Sequence, residues 1–279
     1  MNPPLEMSTD TTHTPGRSPA PAVGGATDDA PTATALAGRP GVPFGRTFQA
    51  ELRKMVDTRA GRWMVIVMAA VAVLILAGFV IWGPAEDASF RGLLELATLP
   101  LAMLLPIIGI MAATAEWSQR TGLVTFVLEP RRGRVVLAKA LAALVLAVVV
   151  LVAAVVASAV ANLVGGTGEW DVTAAIGGGL LLALLIYVLQ GVAFGLLFLN
   201  TPVAIVSVLV LPTVWSIATM AVSSLEEAGR WLNLDLVTQP LFAGDMAGRD
   251  WAQLATASAV WVLLPMAVGT YRVLHREVK

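Results

Sequence analysis

A chain of 279 residues that is 57% hydrophobic and 13% charged, with a mean hydropathy of +0.78, lies outside the soluble range. Soluble domains run at about 45–50% apolar and about 25% charged, so most of this chain is solvated by lipid. Its net charge of −1 offers no bulk attraction to nucleic acid, and the absence of cysteine removes disulfides, thiolate metal sites and thiol catalysis. His13 and His275 both lie near the termini, which removes most His-based metal or acid–base sites within a membrane.

Residues 1–43 carry eight of the sixteen prolines and no apolar run. Such a segment buries too little surface to offset its ordering entropy, and it is expected to be a disordered Pro/Thr/Ala-rich tail. No apolar stretch follows the initiator Met, so it does not read as a signal peptide. Over residues 44–57, Phe44, Phe48, Leu52, Met55 and Val56 recur at helical spacing, with Arg46, Gln49, Arg53, Lys54 and Asp57 between them. An amphipathic helix with basic residues just ahead of a span is expected to lie in the membrane interface.

The first span is expected at residues 63–82, twenty residues without a charge and with Trp at each end. A second, at 92–114, contains Pro100 and Pro106, which kink a helix in ways a bundle absorbs. Glu95 lies near its outer end, four residues after Arg91, and reads as one half of a local ion pair. The third, at 135–164, exceeds the hydrocarbon thickness and must tilt or project; Lys139 is expected to snorkel to the inner headgroups.

The fourth span, at 172–199, holds Gly191 and Gly195 in a GxxxG pattern that reads as close helix packing, with Tyr187 and Gln190 expected in hydrogen bonds between helices. After a tight turn at Asn200-Thr201-Pro202, the fifth span, at 203–222, carries Pro212. Residues 223–250 are mainly acidic and predict a short amphipathic outer helix; the sixth span, at 251–273, ends in a basic tail.

Six spans place both termini on one side. Fifteen Lys and Arg then face the cytoplasm and three (Arg91, Arg230 and Arg249) face outward, so both termini are expected to be cytoplasmic. No GxxxxGK[ST] occurs, and Ser158, Ser207, Ser216 and Ser258 have no His in a neighbouring span to activate them. An enzyme is therefore not expected. The nearly charge-free spans also lack the rings and midplane acids of channels and ion-coupled carriers.

Between spans two and three runs EWSQRTGLVTFVLEPRRGRVVLAK, residues 116–139, with an apolar set (Trp117, Leu123, Phe126, Val127, Leu128) beside its basic residues. Topological anchoring needs the charges but not that set, which points to docking. In Glu116, Thr121-Gly122, Pro130-Arg131-Arg132-Gly133-Arg134 and Lys139, together with Glu51-Leu52-Arg53-Lys54 ahead of span one, the chain resembles the membrane subunit of type-2 ATP-binding cassette exporters. The likeness covers residues 44–279 and lies in the order and placement of degenerate motifs.

That resemblance implies an all-α permease with a coupling helix in the loop 115–134. It implies a separate cytoplasmic ATPase that binds ATP, a second permease as homo- or heterodimer, and no cofactor on this chain. It assigns Glu116, Trp117, Arg120, Gly122, Phe126, Pro130, Arg131, Arg132 and Arg134 to ATPase coupling, with Glu116 as a polar contact at the membrane edge. The alternatives are a non-transporting scaffold that recruits a cytoplasmic partner, and a stand-alone channel or carrier.

Overall fold

The computed structural model describes residues 42–118 and 131–275. Among these the chain is helical, without a strand. In order it forms α1 (Phe44–Asp57), α2 (Arg59–Trp82), α3 (Phe90–Ser118), α4 (Arg132–Gly165), α5 (Ala174–Phe198), α6 (Thr201–Ala221), α7 (Glu226–Leu232), α8 (Leu234–Ala243) and α9 (Gly248–His275). Six of them, α2 to α6 and α9, are long and apolar enough to cross a membrane. They coincide with the six expected runs, and α3 and α4 extend further toward the central loop than their apolar stretches alone predicted. At 1.5 Å per residue, α4 is about 50 Å long.

The bundle is organised around α5, its most buried span, whereas α2 and α6 are the least buried. The tightest approach is between α5 and α3. A Cβ on Gly191 would lie 1.9 Å from the Pro106 carbonyl oxygen, and one on Gly195 would lie 2.7 Å from the Ala113 methyl. The GxxxG pattern therefore does what its spacing predicts: Gly191 meets the Pro106 backbone, and Gly195 meets the Ala113 methyl with the Ile110 backbone behind it, so neither site has room for a side chain.

At the end opposite α1, the connection before α3 is tied to the one after α4. The Phe90 N–H donates to the Glu169 carbonyl at 3.1 Å, the Ser89 hydroxyl donates to Asp171 Oδ2 at 2.9 Å, and the Phe90 and Trp170 rings pack at a tilt with centres 4.9 Å apart. Burial would raise the Asp171 pKa, but bonds from the Arg91 N–H and the Ser89 hydroxyl hold it below the usual aspartate value.

The segment after α6 holds two short helices where the sequence predicted one. In α8, Leu234, Val237, Thr238 and Leu241 are buried, and a Cβ on Gly179 of α5 would come 2.0 Å from the Leu241 carbonyl oxygen. Tyr187 of α5 reaches Thr238 at 2.9 Å and donates to Asp235 at 3.3 Å, so it makes the interhelical bond its position suggested.

A single π turn, Ala259–Leu263, interrupts α9 just ahead of Pro265. Proline lacks the N–H that an α-helix would use there, and the wider turn passes over that gap. The turn also carries Trp261, whose indole N–H donates to the Leu232 carbonyl at 2.7 Å.

Candidate functional site

Thr47, Glu51 and Met55 repeat every four residues and form the buried stripe of α1. Phe48 and Leu52 pack beside that stripe, while Val56 is exposed. The helix therefore turns a stripe containing two polar residues onto the protein, offset from the one its apolar residues define. The offset is explained by the partners of Glu51.

Four ionisable side chains from three helices meet where α1 lies against α3 and α4. Lys139 Nζ donates to Glu51 Oε2 and to Glu116 Oε1, each at 2.7 Å, and to the Ala112 carbonyl at 3.0 Å. All three of its ammonium protons thus have acceptors. Lys54 Nζ donates to Glu51 Oε1 at 2.6 Å and to Glu116 Oε1 at 3.1 Å. The four groups close a ring of alternating sign and no net charge.

The side chains of Glu51, Glu116 and Lys139 are only 4–5% exposed, whereas that of Lys54 is 42% exposed. Removing a charge from water costs several kcal/mol, and good geometry with satisfied hydrogen bonds is needed to offset it. Burial alone would lower the pKa of Lys54, but the two carboxylates outweigh it and hold that pKa above the ordinary lysine value.

Lys139 thus corrects an expectation. It does not snorkel to the headgroups, because the first turns of α4 lie under α1 and two carboxylates sit within reach of its ammonium. Glu116, expected to make a polar contact, joins the same ring through both lysines. In the sequence Glu51 stands out only within a motif ahead of the first span, and Lys54 within that motif and among the polar positions of the amphipathic helix. The available signal was a glutamate four residues before Met55 on the buried side, together with a lysine inside an apolar run.

Around the loop, the described residues take different positions. Trp117 is half-buried and packs on the main apolar core. Arg131 is exposed at the cap of α4. Arg132 donates to the Val273 carbonyl of α9 at 2.9 Å. Arg134 donates to the Val42 carbonyl at 3.1 Å, and its guanidinium lies 5.9 Å from the centre of the Phe44 ring. The latter two arginines thereby link the start of α4 to the bundle's last span and to the entry of α1. Arg120, Gly122, Phe126 and Pro130 lie outside the described residues, as do Leu123, Val127 and Leu128.

Glu95 is paired with Arg91 at 2.8 Å, as its spacing predicted. Gln190 is buried within α5. Among the described residues no three His, Cys, Asp or Glu side chains are grouped to hold a metal ion.

Beside the ring lies a cavity of about 660 Å³, walled by the α1–α2 turn, the last turns of α3 and Thr201 at the start of α6. Hydroxyls on its α3–α6 side are linked to one another: Thr201 Oγ1 lies 2.7 Å from Thr114 Oγ1 and 2.9 Å from Ser118 Oγ. Neither a family model nor a curated protein matches this chain.

Proposed function

We propose that this chain is the membrane-spanning permease subunit of an ATP-binding cassette exporter, set in the plasma membrane with both termini in the cytoplasm. The observation that supports this most is the buried ring of Glu51, Lys54, Glu116 and Lys139. It fastens the amphipathic helix α1 to the two spans, α3 and α4, from which the basic loop emerges. A force applied to that loop is then shared by three helices rather than dissipated in one.

The orientation rests on the bias of fifteen Lys and Arg against three. The chain carries no phosphate-cradling GxxxxGK[ST], so ATP is bound by a separate cytoplasmic ATPase, two copies of which act on a pair of permeases. Closure of the ATPases presses on residues 115–134 and tilts α3 and α4 together. Arg120, Arg131, Arg132 and Arg134, with Trp117, Gly122, Phe126 and Pro130, belong to the docking segment in this reading.

Co-purification from the native membrane tests it. A P-loop ATPase without spans is expected to accompany the chain. Arg131→Glu is expected to weaken the association at least tenfold while leaving the bundle intact, because Arg131 is exposed. Arg132→Glu is a less clean probe, since it also breaks the bond to Val273. If no ATPase is recovered, or if Arg131→Glu with Arg132→Glu leaves its recovery unchanged, the reading fails.

A further inference from the structure

The cavity beside the ion-pair ring has the chemistry of a binding site for an amphiphile. Its size, about 660 Å³, falls within the range of roughly 300–1,000 Å³ typical of small-molecule sites. Its wall is mainly apolar, built from Ile108, Met111 and Ala115 of α3, and its rim carries Lys54 and Arg59.

The charges on that rim do not cancel. Glu51 and Glu116 are already matched by Lys139 and Lys54 in the ring. Arg59 is exposed and has no ion-pair partner among the described residues, which leaves one positive charge over. Lys54 reaches both ways, bonded to the ring yet 42% exposed at the cavity.

The flanks of the cavity are the starts of α2 and α6, the two least buried spans, and these do not pack on one another to any extent. A gap between two lipid-exposed spans, at the end of the bundle where the amphipathic helix lies, is reached sideways from a membrane leaflet.

We infer that this cavity binds an anionic phospholipid, with its phosphate at the Lys54–Arg59 rim and an acyl chain along Ile108, Met111 and Ala115. Charge selects the headgroup and the apolar wall selects the chain, so neither a zwitterionic lipid nor a free phosphate satisfies both. A phosphate at the rim draws Lys54 away from Glu51 and Glu116, so occupancy loosens the ring that fastens α1. The inference rests on the cavity and on six membrane-length helices, and not on the exporter reading.

The test uses the full-length chain, purified in a mild detergent, and a monoacyl phosphatidylglycerol that bears a diazirine near the middle of its chain. Photolysis is expected to label a peptide containing Ile108 or Met111, at about one lipid per chain. Unlabelled monoacyl phosphatidylglycerol should compete at least tenfold better than its phosphatidylcholine counterpart, and inorganic phosphate should not compete at millimolar concentration.

Arg59→Gln is expected to weaken labelling about tenfold without changing the fold, because Arg59 is exposed. Ala115→Trp, which fills the wall, is expected to abolish labelling. If Ala115→Trp fails to fold, the Arg59→Gln result and the site of labelling decide the matter. Several results overturn the inference: equal competition by the two headgroups, competition by phosphate alone, or labelling spread evenly over outward positions such as Leu74 and Val210. Cross-linking of Met111 to a second copy with no lipid retained also overturns it, since the gap would then be an interface between chains.

Discussion

Where α1 crosses the ends of α3 and α4, four charges are bonded to one another and three of them are almost fully withdrawn from water. At the opposite end, Arg91 pairs with Glu95, Arg230 with Glu226 and Arg249 with Glu227, all on exposed or half-exposed side chains. Exposed pairs of this kind contribute little, because solvent screens them and two long side chains must be held in one geometry. Withdrawn charges cost much when one of them is left alone, so they fix the position of the helices that carry them. One end is thus fastened by charge. The other is fastened by shape, through the fit of α8 against Gly179 and the hydrogen bonds of Tyr187.

The contrast is broken most severely at Lys139. Lys139→Met leaves Glu51 and Glu116 buried without their main counter-ion and is expected to cost about 3–5 kcal/mol. Thermal unfolding in detergent measures it, and adding Glu51→Gln with Glu116→Gln should recover most of the loss. A Lys139→Met protein as stable as the parent would show that charge does not fasten this end.

At the other end Gly179→Val drives a side chain into the Leu241 backbone and is expected to cost about 1–3 kcal/mol. Limited proteolysis should then cut between α7 and α9, while the mobility of α1 stays unchanged. Lys54→Gln is a finer test within the ring. Because this lysine is part-exposed and Lys139 remains, the loss should be about 1 kcal/mol. Arg91→Gln should cost at most about 1 kcal/mol, and 1 M salt should erase the difference.

Titration separates the two ends by sign. The raised pKa of Lys54 gives a contribution that is whole below the ordinary lysine value, ~10.4, and is lost as pH rises through the higher folded value. The depressed pKa of Asp171 gives one that is whole above the ordinary aspartate value, ~3.9, and is lost as pH falls through the lower folded value. Proteolytic release of α1 in alkali, and opening of the Phe90–Trp170 contact in acid, should therefore occur at opposite extremes. Both should be flat between about pH 5 and pH 9.

The same division governs what could be read from the residues in order. Long charge-free runs marked all six spans, because that signal is local and lies within each helix. The Arg91–Glu95 pair was equally legible, being four residues apart on one helix. The role of Lys139 is not legible in the same way, because its partners, Glu116 and Glu51, lie 23 and 88 residues away, beyond any periodicity. For the same reason the pattern of α1 showed its apolar stripe but not the adjoining one that the ring draws inward. The pairing of Tyr187 was anticipated only as a type of bond, since its partner Thr238 is 51 residues distant. At the start of α4, the exposed position of Arg131 contrasts with the internal bonds of Arg132 and Arg134, a distinction that three arginines so close in sequence do not reveal.

The π turn of α9 also sets the rotational phase of the last span. A π turn accommodates one residue more than an α-helical path of the same rise, and each residue of an α-helix advances the side chains by about 100°. Deleting Val260 would let α9 close as an ordinary helix. Either Trp261 would then leave the Leu232 carbonyl, or Gly269, whose missing side chain lets α9 lie against Leu196 and Leu197, would rotate off α5. A single surplus residue is what lets the two halves of this helix face different neighbours.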